Sequence, residues 1–308
     1  MMWLWISLSI LGSLILLFTI FTLIFGSQFF KATFSRRKND ERFAELENIE
    51  DKKTPSRMWF SAQKLEELEL CSKDNLKLKA YLLDNHSNKL AIMLHGYRGR
   101  YYSLTARTKI LYEHGYDVLM PNNRAHDTSE GKYFSMGPKE VDDVIRWINL
   151  MIKRNPNYQI VLVGASMGAH IVMMTVSNKN LPSNVKCFIE DCGYASLKDE
   201  LRYEAKYAVH LPIPKYFVFA GEIYARLFHH FNFNDDTKVL KNAKIPGLFI
   251  HGSKDDYVPY LNLKRNADAM NKDIYKEVKT FDALHNKSIT YLEEYKSLMI
   301  DFVDKFIK

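Results

Sequence analysis

Val161-Leu162-Val163-Gly164-Ala165-Ser166-Met167-Gly168 is an apolar run that ends in G-x-S-x-G and continues as Ala169-His170-Ile171-Val172-Met173-Met174. The part before Gly164 is short and unalternating, the pattern of a strand buried on both faces, whereas the part after Ser166 suits a helix. A strand that turns directly into a helix needs small residues at the corner, because the backbone passes close to its neighbours there. Such a turn lifts the serine hydroxyl above the sheet and aims a helix N-terminus at it. Ser166 is therefore the candidate nucleophile.

Outward from this corner the same two patterns recur. Leu90–Leu94, Asp117–Met120, Ile160–Val163, Lys186–Ile189 and Gly247–Ile250 are short apolar runs, and between them lie helical periodicities at Leu104–His114, Lys139–Lys153, Met167–Ser177 and Tyr260–Asn271. Strands alternating with helices predict an α/β fold, a mostly parallel central sheet with helices on both faces. Ahead of them, Leu68–Cys71 and Leu76–Leu83 flank Ser72-Lys73-Asp74-Asn75, whose Asp-Asn pair suits the tight turn of an antiparallel hairpin. At the far end, Ser288–Ile307 places Ile289, Leu292, Tyr295, Met299, Phe302 and Phe306 on one stripe, predicting a helix that closes one sheet face.

The chain has 308 residues, 47% hydrophobic and 26% charged, a globular composition. Lys and Arg number 43 against 36 Asp and Glu, a net charge of +7, but the charges are interspersed, so no nucleic acid is expected as a partner. Three cysteines without C-x-x-C spacing and no H-E-x-x-H point away from a disulfide framework, a metal or a cofactor.

Residues 1–30 carry no charged side chain. About 20 apolar residues span the ~30 Å hydrocarbon layer, so this stretch reads as a single transmembrane anchor, and without a basic n-region it is unlike a cleaved signal peptide. Lys31, Arg36, Arg37 and Lys38 follow it, which places the body on the cytoplasmic side. Residues 31–55 read as a charged linker ending at Pro55, and 56–308 as one α/β domain.

Several blocks in this domain resemble the α/β-hydrolase superfamily, and in particular bacterial single-anchor serine hydrolases described as esterases, lysophospholipases or peptidase-like enzymes. Leu94-His95-Gly96-Tyr97 is similar to the H-G-x oxyanion loop. Pro121 to Gly131 is similar to an R-G-H-G-x-S-x-G loop, with Ala125 and Asp127 where the family has glycines. Ile250 to Pro259 matches H-G-x-x-D-x-x-V-P, and Ala283-Leu284-His285-Asn286 matches the histidine loop.

The resemblance implies a triad of Ser166, Asp255 and His285, in the superfamily's chain order, with the backbone N–H groups of Tyr97 and Met167 as oxyanion donors. Asp256 and Asp191 are the rival acids, while Cys192 reads as a small buried side chain and His95 and His251 as structural. Residues 196–238 form an insertion with Tyr203, Tyr207, Tyr216, Phe217, Phe219, Tyr224, Phe228, Phe231 and Phe233. It reads as a helical lid, its rings serving either an acyl pocket or plain core. The implied activity is hydrolysis of carboxylic esters, with a small acyl ester or amphiphile as substrate, the bilayer as the other partner and no particular oligomeric state. Alternatives are a peptidase or acyltransferase using the same triad, and a non-catalytic tethered binding module.

Overall fold

The computed structural model describes residues 1–36, 54–233 and 239–308. Most of the charged stretch expected as a linker, residues 37–53, lies outside the described residues, as does the end of the insertion, 234–238.

The strands are β1 (Glu66–Cys71), β2 (Lys77–Leu83), β3 (Lys89–Leu94), β4 (Asp117–Pro121), β5 (Gln159–Ala165), β6 (Val185–Asp191), β7 (Gly247–Gly252) and β8 (Lys276–Phe281). They form one sheet in the order β1-β2-β4-β3-β5-β6-β7-β8. β1–β2 and β2–β4 pair antiparallel and every later pair is parallel, so β2 alone runs against the rest. The expected hairpin is β1–β2, with Asn75 at φ 62° in its turn. β8 was not expected. Its Lys-Glu-Val-Lys-Thr-Phe is charged because it is an edge strand, buried at Phe281 and open along most of its length.

Nine helices are described: α1 (Met2–Phe34), α2 (Pro55–Ser61), α3 (Thr105–Glu113), α4 (Glu140–Arg154), α5 (Met167–Val176), α6 (Leu197–Tyr207), α7 (Pro214–His229), α8 (Leu261–Ala269) and α9 (Leu292–Asp304). Three boundaries differ from expectation. α1 runs past Phe30 to Phe34, because Lys31 sits in its last turn, where a cation suits the helix dipole. Pro55 opens α2 instead of closing a linker, since proline fits the first turn of a helix. The C-terminal helix is broken at Tyr291, with a 3-10 turn at Ser288–Thr290 and α9 after it.

Two compact units can be distinguished: Met1–Ser35 with Lys198–Phe233, and Arg36–Leu197 with Asn234–Lys308. In the larger unit, alternate residues of the strands pack one face of the sheet: Ala91, Met93, Val161, Val163, Cys187, Ile189, Leu248 and Ile250 meet Leu111 of α3 and Tyr295, Met299 and Phe302 of α9. Each Val, Leu, Ile, Met or Phe among them, fully buried, contributes roughly 1.5–3 kcal/mol. The other face is covered by α5 against β5 and β6, with α4 packed on α5. One buried ion pair crosses the first of these layers. Arg107 of α3 donates to Asp191 at the end of β6 and, through Nε, to the Tyr295 hydroxyl at 2.7 Å.

In the smaller unit, α1 is apolar and long enough to cross a membrane by length and composition. Five rings of the insertion, Tyr216, Phe217, Tyr224, Phe231 and Phe233, expected to serve either a pocket or a core, pack on α1. Phe25 meets Phe217 at 5.5 Å, Phe30 meets Tyr224 at 5.6 Å, and Phe34 meets Phe231 and Phe233 at 5.6 and 5.4 Å. Lys198 of α6 pairs with Glu222 of α7.

The loop after β4 resolves the glycine substitutions seen in the sequence. Ala125 and Asp127 have φ 59° and 39°, the left-handed conformation glycine takes without strain. An L-residue there costs roughly 1–2 kcal/mol, and the loop holds it with side-chain ties. Arg124 Nε donates to Asp143 at 2.7 Å, Arg124 also donates to Asp74 at 2.8 Å, and the Ser129 hydroxyl donates to the Asn122 carbonyl at 2.7 Å.

The tightest constraint lies at the β5–α5 corner, where a Cβ on Gly168 would stand 1.9 Å from the Leu94 carbonyl oxygen. Backbone on both sides leaves nothing to give way. Gly168→Ala is expected to cost about 3 kcal/mol or more, read as a lower denaturant midpoint at unchanged m-value. A variant as stable as the parent would mean that β3 and α5 can move apart.

Candidate active site

β5 ends at Ala165 and α5 begins at Met167, so Ser166 alone carries the chain round the corner. Its backbone sits at φ 55°, ψ −122°, a conformation that costs a non-glycine residue of order 1–3 kcal/mol. The strain is held from both sides. The Ser166 N–H donates to the Asp191 carbonyl at 2.9 Å, and the Ser166 carbonyl accepts from His170 N–H at 3.1 Å. The site lies at the carboxyl ends of the strands, where β4 and β5 flank β3 and the chain reverses its winding, the place at which open α/β sheets bind ligands.

His285 Nε2 is 3.0 Å from Ser166 Oγ and His285 Nδ1 is 2.7 Å from Asp255 Oδ2. The three residues come from three separate connections, after β5, β7 and β8, and the last two are stitched together. Ser253 N–H donates to Phe281 and Lys254 N–H to Ala283, at 2.8 and 3.0 Å, so the acid loop and the histidine loop move as one piece. Asp256, the rival acid, is exposed where Asp255 is buried, the alternation expected of adjacent residues in a turn.

The Asp255 carboxylate is filled on both oxygens. Oδ1 accepts the Tyr257 and Val258 N–H groups at 3.0 and 2.8 Å, and Oδ2 takes His285 at 2.7 Å and His251 Nε2 at 3.1 Å. Burial alone would raise its pKa, but the bonds from His251 and His285 outweigh it and hold the group down at about 2. It is therefore an anion at any ordinary pH. His251, by sequence a structural histidine bonded to backbone, meets the Val258 carbonyl at 3.0 Å. Its bond to Asp255 was missed. The signal was there as the four-residue spacing His251 to Asp255, but spacing does not show that a turn folds the second back on the first.

The other candidates take distinct places. His95 is buried, its Nδ1 donating to the Gly96 carbonyl at 2.8 Å and its Nε2 accepting from Asn123 N–H at 3.1 Å. Burial and the neighbouring His126 press its pKa down to about 3, so it is a neutral strut under the loop. That loop lies directly beside Ser166, since a Cβ on Gly96 would meet the serine Cβ at 3.4 Å. Tyr97 follows, half-buried, its ring 5.5 Å from that of Phe134, and Met167 is buried at the first position of α5. Asp191 does not join His285. Its carboxylate accepts from Arg107 and from the Tyr295 hydroxyl at 2.8 Å, and Arg107 reaches on to Asn286 Oδ1 at 2.8 Å, which ties down the residue next to His285.

Cys192 is buried, and burial pushes its thiol well above the usual range. Its sulfur and donor atoms of Asp255 and His285 lie within 4.8 Å of one another, but Asp255 and His285 are committed to each other.

The family described as alpha/beta hydrolase fold matches residues 92–212. The chain has the α/β-hydrolase fold. An esterase of Pyrococcus furiosus superposes at a TM-score of 0.66 with 25% identity, over 80% of this chain and 93% of that one. A hydrolase of Pseudomonas aeruginosa PA01 superposes at 0.60 with 15% identity, over 79% and 99%, a likeness of fold alone. The uncharacterized protein YqkD of Bacillus subtilis (strain 168) is 27% identical over 198 residues, 61% of this chain and 62% of that protein, so the match spans less than two thirds of its relative. The hydrolase-family match takes in the His95 loop and Ser166 but ends before Asp255 and His285, which stand on the geometry above.

One further carboxyl group lies near His251. Glu190 is fully buried, and burial pushes its pKa up to about 8 against the opposing pull of His251 and the Gly193 N–H. A glutamate in the unfolded chain loses its proton near pH 4.3, so between about 4 and 8 the folded state binds a proton that the unfolded state does not. The associated stability is full below about pH 4 and is lost as the pH rises toward 8. Glu190→Gln keeps the shape and removes the titration. Its melting temperature is expected to fall less steeply than the parent's from about pH 5 to about pH 8; equal slopes would mean that folded Glu190 is already ionised.

Proposed function

We propose that this protein is a membrane-anchored serine hydrolase that cleaves carboxylic esters through an acyl-enzyme. The reading rests on one observation, the continuous hydrogen-bonded chain Ser166–His285–Asp255 with the serine at a strained strand-to-helix corner. Neighbouring folds that are esterases support it.

In this mechanism Ser166 Oγ attacks the ester carbonyl while His285 Nε2 takes its proton. The imidazolium is stabilised by Asp255, whose full set of donors keeps it ionised and fixed. Negative charge on the carbonyl oxygen is met by the backbone N–H groups of Tyr97 and Met167 and by the N-terminus of α5. The tetrahedral species collapses, the alcohol leaves with the proton from His285, and water repeats the sequence on the acyl-serine, regenerating the hydroxyl and releasing the acid. Peptide hydrolysis or acyl transfer would use the same groups with a different leaving group or acceptor. The ester reading is preferred because its alkoxide leaving group asks least of the general acid.

Treatment of the full chain with a fluorophosphonate is expected to label Ser166 alone. Ser166→Ala should abolish labelling and lower kcat on p-nitrophenyl esters by roughly 10⁴–10⁶-fold. A folded protein that takes no label would sink the catalytic reading and leave the tethered binding module.

The anchor is α1, and the basic residues that follow it assign the larger unit to the cytoplasm. Cys71 is exposed on that unit while Cys187 and Cys192 are buried. Native Cys71 is expected to stay unlabelled by a membrane-impermeant maleimide in intact cells and to react once they are opened. Reaction in intact cells would reverse the orientation.

A further inference from the structure

α1 changes character along its length. Residues 2–21 are all exposed, and 20 residues at 1.5 Å each make about 30 Å, the thickness of a hydrocarbon layer. From there on one stripe is buried, Thr22, Gly26, Phe30 and Phe34, each four residues from the last.

The stripe meets α7 in matching steps. The Thr22 hydroxyl is 3.1 Å from the Tyr216 hydroxyl, Gly26 lies so close to Ala220 that a Cβ there would stand 2.3 Å from its carbonyl oxygen, and Phe30 meets Tyr224 at 5.6 Å. The helices are thus parallel and in register, with small residues at the closest point, the way helices pack without water between them.

This register places the start of α7 where the exposed span of α1 ends. In the segment leading into it Val209 and Ile213 are 62% and 60% exposed, and Phe219, in the second turn of α7, is 49% exposed. Whatever covers residues 2–21 of α1 continues onto this surface, because Tyr216 touches Phe18 inside the span, with ring centroids 6.2 Å apart. The Tyr216 hydroxyl has its partner in Thr22 and needs none from water. Lys215 is exposed beside it, a cation on a long stem of the kind that sits at a headgroup.

We infer that Val209–Phe219, held by α7 against α1, is a second membrane contact that dips into the headgroup–acyl boundary of the bilayer that α1 crosses. This rests on the anchoring reading above and extends it: α1 is packed on α7, and the segment that leads into that partner helix, with its first turn, enters the lipid surface.

The test uses the full chain in phosphatidylcholine vesicles. In a Cys71→Ser background, single cysteines at Ile213→Cys, Phe219→Cys, Leu14→Cys and Lys272→Cys carry an environment-sensitive fluorophore, and a matching set of vesicles contains lipids brominated near either end of the acyl chain. Emission at 213 and 219 is expected to shift to the blue and to be lost most strongly to bromine near the carbonyl end. Leu14 should lose it to bromine near the methyl end, and Lys272 should be unaffected. If Leu14 is quenched while 213 and 219 emit like Lys272, the anchor stands and the second contact is wrong. If Leu14 too emits like Lys272, the anchoring reading fails and this one with it. Emission at 213 that follows the protein-to-lipid ratio and ignores the bromines would assign the face to a second copy of the chain and overturn the membrane contact.

Discussion

The backbone of Gly168 lies against the Leu94 carbonyl, and the rest of the larger unit is arranged around that contact. It sets how near α5 can come to β3, and so where the helix N-terminus points. With the helix fixed, Ser166 has no conformation available but a strained one, and the strain is sustained because Asp191 and His170 hold the serine backbone on both sides. A side chain presented this way stays at one height above the sheet, and the loop carrying Gly96 can then lie beside it. A loop-borne serine would have neither property.

Three buried carboxyl groups at the ends of β6 and β7 show how local partners decide charge. Asp255 has four donors and stays ionised. Asp191 faces the Arg107 guanidinium, and that pair links α3, β6 and α9 to the loop of His285 through Asn286. A buried pair of this kind adds little net stability over an apolar substitute, but losing one member leaves a charge stranded at about 3–5 kcal/mol. It serves to hold the histidine loop. Glu190, with one backbone N–H at 2.9 Å and a distant amide, has too few donors to stay charged, so burial decides its state. His251 lies beside Asp255: burial opposes its charge, and its bond to the Asp255 carboxylate outweighs that and raises its pKa.

The smaller unit follows a different solvent logic. Residues 2–21 of α1 are uncharged and exposed all round, with Phe18 near their end touching Tyr216. Only from Thr22 onward does a helical stripe of Thr, Gly and Phe appear, and there glycine admits α7 while phenylalanine rings fill the seam. Tyr216, Phe217, Tyr224, Phe231 and Phe233 of the insertion are thereby accounted for by a helix that lies far away in the chain, while Tyr207, Phe219 and Phe228 stay exposed.

The strands, the corner at Ser166 and the apolar α1 were legible in the chain by itself, because each depends on a short-range rule: apolar runs for buried strands, small residues for a sharp turn, uncharged length for a span. Asp255 and His285 could be named beside Ser166 only through the resemblance of their short motifs to those of α/β-hydrolases. Edge strand β8 was invisible, since an open edge carries lysine and glutamate like any loop, and the break before α9 hid inside an unbroken apolar stripe. What only the tertiary structure decided are the pairings across long separations: His251 on Asp255 through a folded-back turn, Arg107 between Asp191 and Asn286, and the rings of the insertion on α1. The physical reason is that burial and hydrogen bonding are properties of a neighbourhood in space. A carboxylate, a histidine or a phenylalanine reads the same along the chain whichever partner the fold brings to it.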